Sequence, residues 1–105
     1  MAIDLMPDEV LARVQGPDPP RIVDVRTPME YAGRHIPGAV LIPIDELAAR
    51  VQELDPEEEL VLVCEHGIRS AAAVDYLTRL GYEQCANMRH GMCAWRGPIK
   101  PGMEP

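Results

Sequence analysis

The apolar run Val61-Leu62-Val63 ends in Cys64, and four residues, Glu65-His66-Gly67-Ile68, separate that thiol from Arg69 and Ser70. Ala71-Ala72-Ala73-Val74 follow in a pattern that predicts a helix beginning at once. This spacing places a thiol at the carboxyl end of a buried strand, in a tight loop that opens onto a helix N-terminus. Backbone N–H groups of such a loop point inward as an anion-binding nest, and the helix dipole adds partial positive charge. Both favour thiolate over thiol, and the thiolate is the nucleophile. A buried cysteine is more often structural than reactive. A glycine, an arginine and a helix start within six residues of Cys64 favour the reactive reading here. Gly67 lets the backbone turn tightly. Arg69, charged at any relevant pH, either meets an anionic donor or braces the loop. Ser70 is predicted to be a first-turn residue whose hydroxyl serves orphan N–H groups.

Other elements must hold that loop. Residues 2–5 offer a short strand, and 7–14 a helix with Pro7 in its first turn and Val10, Leu11 and Val14 on one side. Gly16-Pro17-Asp18-Pro19-Pro20 breaks it, and 21–25 form a buried strand by β-branched content. Thr27 is predicted to cap a short helix with Pro28 at its first position. A strand over 39–42 leads to a helix capped by Asp45 that buries Leu47, Ala48 and Val51. The acidic residues 55–59 are a solvated turn, and 60–63 form the strand that feeds the loop. Ala73, Val74, Leu77 and Leu80 recur at helical spacing until Gly81. Residues 82–88 offer a last strand, and Ala94-Trp95 a closing turn. Short apolar strands alternating with helices predict an α/β layer structure with a parallel sheet, whose site lies at the carboxyl ends of the strands.

Several segments resemble the rhodanese family, sulfurtransferases whose cysteine carries sulfur as a persulfide. The loop from Cys64 to Ser70 is one. Ile22-Val23-Asp24-Val25-Arg26 with Glu30-Tyr31 is another, and Gly33-Arg34-His35-Ile36-Pro37-Gly38-Ala39 is a third. Ile42-Pro43-Ile44-Asp45-Glu46-Leu47 follows, then Leu80-Gly81-Tyr82 with Asn87-Met88, Gly91 and Ala94-Trp95. The resemblance implies a five-stranded, mainly parallel sheet flanked by helices on both faces. It makes Cys64 the persulfide carrier and Glu65, His66, Gly67, Ile68, Arg69 and Ser70 the loop that meets the substrate. Asp24, Arg26, Glu30, His35 and Trp95 become structural support: a charge pair or cap at a strand end, a hydrogen-bonded histidine and a packing aromatic.

The implied reaction is double displacement at sulfur. Cys64 takes the outer sulfur of a donor such as thiosulfate, and cyanide, a thiol or a sulfur-accepting protein then removes it. No metal, nucleotide or other cofactor is needed. Cys85, His90 and Cys93 are too few and too irregularly spaced for a metal site. Phosphatases and arsenate reductases of related fold are rivals, but by resemblance their cradle takes one more residue between Cys and Arg. A non-catalytic module of the same fold is a second rival, and such modules usually lack the cysteine. Two departures stand out. Glu65 occupies a position where thiosulfate-using members tend to carry a cation, and its carboxylate is expected to repel a dianion. His90-Gly91 stands where paired glycines are usual.

The 105 residues predict one domain over 1–105, with a core large enough to fold without metal or disulfide. The three cysteines suggest no disulfide framework. No signal-like segment or membrane-length apolar run is present, so the cytoplasm is the expected compartment. A net charge of −7 without a basic cluster argues against nucleic acid and anionic membrane as partners.

Overall fold

The computed structural model describes residues 3–105. Its strands are β1 (Ile3–Leu5), β2 (Arg21–Asp24), β3 (Val40–Leu41), β4 (Leu60–Val63) and β5 (Cys85–Met88). Between them lie helices α1 (Pro7–Val14), α2 (Pro28–Gly33), α3 (Leu47–Arg50) and α4 (Ile68–Arg79). The sheet order is β1-β5-β4-β2-β3, and every neighbouring pair is parallel. The predicted five-stranded α/β layer structure therefore forms, with β4 in the centre and its carboxyl end facing the loop. The expected first strand over 2–5 includes Ala2, which lies outside the described residues.

Several boundaries differ from expectation, each for a tertiary reason. β3 has two residues, because the Ala39 N–H turns back to the Ile36 carbonyl. β5 starts at Cys85, because Tyr82 serves the exit of α4. Its N–H bonds the Leu77 carbonyl, and its hydroxyl donates to the Val51 and Leu54 carbonyls. Asp45 does not cap a helix. It sits inside a 3₁₀ turn, Ile44–Glu46, that starts after Pro43 without a side-chain cap. Leu80 is 50% exposed and falls beyond the last residue of α4, so the buried stripe of that helix ends at Leu77.

Side chains of β4 alternate between two cores, as a period of two requires. Leu60 and Leu62, followed by Cys64, pack with Leu47, Ala73, Val74 and Leu77 from α3 and α4. Val61 and Val63 pack on the opposite face with Val10 of α1, Tyr31 of α2, Met92 and Trp95. Helices thus cover both faces, and all four residues of β4 are buried and apolar. Leu62→Ala should cost about 2–5 kcal/mol by lost transfer energy and the cavity left behind. Urea unfolding measures this, and a loss under about 1 kcal/mol would show that the core around β4 is loosely packed.

α2 begins with a reciprocal cap. Thr27 Oγ1 accepts the Glu30 N–H at 3.2 Å, and Glu30 Oε1 accepts the Thr27 N–H at 3.0 Å. The same carboxylate receives two guanidinium N–H groups of Arg69, at 2.9 and 3.0 Å, from the first turn of α4. The Arg69 hydrogen bonds hold the Glu30 carboxyl at about 2, well below its ordinary 4.5. A carboxyl depressed in the folded state contributes stability above its unfolded value, and loses it as pH falls toward the folded one. Between about pH 5 and pH 2, stability should therefore fall more steeply in the parent protein than in Glu30→Gln. Parallel pH profiles of the urea midpoint would contradict this tie.

Candidate active site

Cys64 follows β4 and is 1% exposed. Its Sγ accepts the N–H of Gly67 at 3.1 Å and that of Ser70 at 3.3 Å. These donors come from the loop and the first turn of α4, where N–H groups lack intrahelical partners. Gly67 itself has φ of +85°, and a Cβ there would stand 2.9 Å from the His90 nitrogen. Only glycine meets both conditions without strain.

A second segment closes over the first. The Met92 N–H donates to the Cys64 carbonyl at 2.8 Å, and the Cys93 N–H to the Glu65 carbonyl at 3.0 Å. Gly91 lies so close that a Cβ would be 2.4 Å from the Cys64 carbonyl oxygen, with φ at +71°. His90, at φ +68°, takes the left-handed backbone that a glycine would adopt. That conformation costs a non-glycine residue about 1–2 kcal/mol. The loop is thus held in shape although one glycine of the usual pair is missing.

Ser70 differs from expectation. Its hydroxyl does not serve orphan N–H groups of the helix; it lies 3.2 Å from Cys64 Sγ and donates to Asn87 Oδ1. Asn87 Nδ2 in turn donates to Asp4 Oδ1 at 3.1 Å and to the Gly67 carbonyl at 3.3 Å. Sequence reasoning missed Asn87 and Asp4 behind the thiol. The available signal was a polar residue in the apolar strand Cys85–Met88.

Charged groups around the mouth are paired. Arg26 and Asp24 are 2% and 0% exposed. Arg26 donates from Nε and Nη2 to the two carboxylate oxygens of Asp24, from Nη2 to the Arg34 carbonyl and from Nη1 to Glu65. Burial would lower the Arg26 guanidinium, but bonds and charge from Asp24 and Glu65 outweigh it and hold it above its usual value. Glu65 lies 3.2 Å from Arg26 and 3.8 Å from Arg34. The expected bare carboxylate beside the nucleophile is therefore absent: two guanidinium groups share its charge. Arg69 is bound to Glu30 and braces the loop, instead of standing open to a donor.

His66 and Ile68 are exposed at the rim, Ile68 by 77%. His35 is fully buried and stacks on Tyr31 with ring centroids 3.8 Å apart. Its ring nitrogens lie 2.9 Å from the Tyr31 carbonyl and 2.8 Å from that of Glu104, and its backbone bridges Lys100. It ties the C-terminal segment to α2. Trp95 is buried, with Nε1 donating to the Pro98 carbonyl. Burial pushes the Cys85 thiol up to about 11. Cys93 is exposed and donates to the His90 carbonyl, so a thiol reagent meets it before Cys64. Among the described residues, no group of three or more His, Cys, Asp or Glu is placed to hold a metal ion.

Comparison with known proteins agrees with this fold. Residues 6–98 match the rhodanese-like domain. The chain is similar to a sulfurtransferase of Allochromatium vinosum, with 38% identity over 70% of this chain and 69% of that protein. It is also similar to the thiosulfate sulfurtransferase GlpE of Pseudoalteromonas translucida, with 31% identity over 79% of each. Some curated relatives are longer, the chain spanning 41% of one of them. The crystal structure of a rhodanese-like domain protein from Staphylococcus aureus superposes with a TM-score of 0.88. It is 34% identical, over 94% of this chain and 97% of that one. The match over most of the chain, together with the five-stranded parallel sheet flanked by helices, shows that the chain belongs to the rhodanese-like sulfurtransferase family.

Proposed function

We propose that the chain, as one rhodanese-like domain, transfers a sulfane sulfur through a persulfide on Cys64. The donor is thiosulfate or a compound of like chemistry, and the acceptor is cyanide, a thiol or a sulfur-accepting protein. The observation that carries the reading is the sulfur of Cys64, held at a strand end by N–H groups of Gly67 and Ser70. In the first step the Cys64 thiolate attacks the outer sulfur of thiosulfate. The S–S bond of the donor breaks, sulfite leaves with the bonding pair, and Cys64 becomes a persulfide anion. In the second step the acceptor attacks the terminal sulfur and Cys64 leaves as thiolate. Each step moves one neutral sulfane sulfur atom from leaving group to nucleophile, so charge balances with no outside oxidant or reductant. Relatives named as sulfurtransferase and thiosulfate sulfurtransferase support the donor class.

Two features fit this chemistry. The N–H donors of Gly67 and Ser70 reach Cys64 Sγ, the atom that is anionic as thiolate before the first step and again after the second. Glu65 and Arg69, each paired with an opposite charge, add neither strong repulsion nor strong attraction for a dianion. Reduced compartments such as the cytoplasm, where a free reactive thiol persists, suit such a carrier.

Cyanide-dependent thiocyanate formation tests the reading. Cys64→Ser should lower turnover by roughly 10³ or more, as loss of a nucleophile does. Cys85→Ala and Cys93→Ser should keep most of the activity, and initial rates should give the parallel reciprocal plots of a ping-pong reaction. Turnover retained in Cys64→Ser, or intersecting plots, would overturn it.

A further inference from the structure

Behind Cys64, one hydroxyl hydrogen faces two acceptors. Asn87 sits on β5, opposite Leu62 of β4, and is 4% exposed. Its amide orientation is fixed by its neighbours. Nδ2 lies 3.1 Å from a carboxylate oxygen of Asp4 and 3.3 Å from the Gly67 carbonyl, atoms that only accept. Oδ1 therefore points at Ser70 and, having no hydrogen, must receive the Ser70 hydroxyl hydrogen. Ser70 has only that one. With it on Asn87, Ser70 Oγ turns lone pairs toward Cys64 Sγ, 3.2 Å away. A thiol suits this arrangement, since S–H can donate to Ser70 Oγ. A thiolate does not. It would draw the hydroxyl hydrogen to itself and leave Asn87 Oδ1 a buried acceptor without a donor, which is costly.

Taking Cys64 as the nucleophile proposed above, we infer that Asn87 is a positioning residue that competes with Cys64 for the hydroxyl hydrogen of Ser70. Ionisation of the sulfur then requires one rotation of the Ser70 hydroxyl away from Asn87. The N–H groups of Gly67 and Ser70 favour the anion, and the Ser70–Asn87 bond opposes it. The two together set the pH range over which Cys64 becomes nucleophilic.

Surrounding charges are accounted for on each side. From the end of β2, Asp24 and Arg26 pair with each other, and Arg26 with Glu65 of the loop, which also faces Arg34. From α2, Glu30 neutralises Arg69 of α4. On β1, Asp4 is bonded to the far side of the Asn87 amide. His66, and Arg89 with His90 after β5, are exposed at the rim. Substitution of Asn87 changes none of these charges.

The pH dependence of Cys64 alkylation by iodoacetamide, read by peptide mass so that Cys93 does not contribute, tests the competition. In Asn87→Ala the hydroxyl is free to donate to sulfur, and the midpoint should move to lower pH by about 0.3–1 unit. In a Ser70→Ala background the same substitution should no longer move it. Asn87→Val, whose branched side chain suits a strand, replaces Asn87→Ala if that variant fails to fold. An unchanged or raised midpoint, or a shift that persists without the Ser70 hydroxyl, would overturn the proposal. Alkylation reports ionisation whether or not Cys64 accepts sulfur. A Ser70-dependent shift in a protein that never loads sulfur would therefore support the competition and reject only the sulfur-transfer reading.

Discussion

The Arg26 guanidinium is buried where β2 ends beside the loop that follows β4, and a charge in that position must be bonded on every side. Asp24 supplies a fork of two oxygens, the Arg34 carbonyl a third acceptor, and Glu65 a fourth. These four contacts join the central sheet, the end of α2 and the Cys64 loop in one bonded unit. Removing one member of a buried pair costs about 3–5 kcal/mol, because its partner is left charged and dry. That penalty exceeds the net value of any single neutral hydrogen bond in the loop, each about 1 kcal/mol. The network meets the loop at Glu65, beside the backbone bonds from Met92 and Cys93 to the carbonyls of Cys64 and Glu65.

The same network sets the electrostatic character of the mouth. Opposite charges about 4 Å apart attract by roughly 4 kcal/mol at an effective dielectric near 20, before desolvation is subtracted. Glu65, between Arg26 and Arg34, spends its charge on them, and Arg69 spends its own on Glu30. What remains for the substrate is mainly backbone N–H groups and one shared hydroxyl. Such a site offers an anion hydrogen-bond donors at close range, with little net side-chain charge behind them.

Local features of the chain made the central part of this arrangement readable. A β-branched run, a glycine and an immediate helix pattern locate Cys64 and the strand Leu60–Val63, because those signals act over a few residues. Proline at the first turn likewise locates Pro7–Val14. Partners distant in sequence were not readable. Glu65 meets Arg26 across 39 positions, and Asn87 meets Asp4 across 83. No periodicity reports such a meeting, so the pairing of Glu65 with Arg26 and the bond from the Ser70 hydroxyl to Asn87 are invisible in the sequence. Leu80 shows the limit within one helix: the apolar period continues to it, but the chain leaves the helix after Arg79.

Covalent sulfur on Cys64 is the central claim, and intact mass after incubation with thiosulfate measures it directly. The expected result is the mass of one added sulfur atom per chain, located on the Cys64 peptide and removed by dithiothreitol or cyanide. A protein whose mass stays unchanged while it forms thiocyanate, or one that carries the sulfur on Cys93 instead, would contradict it.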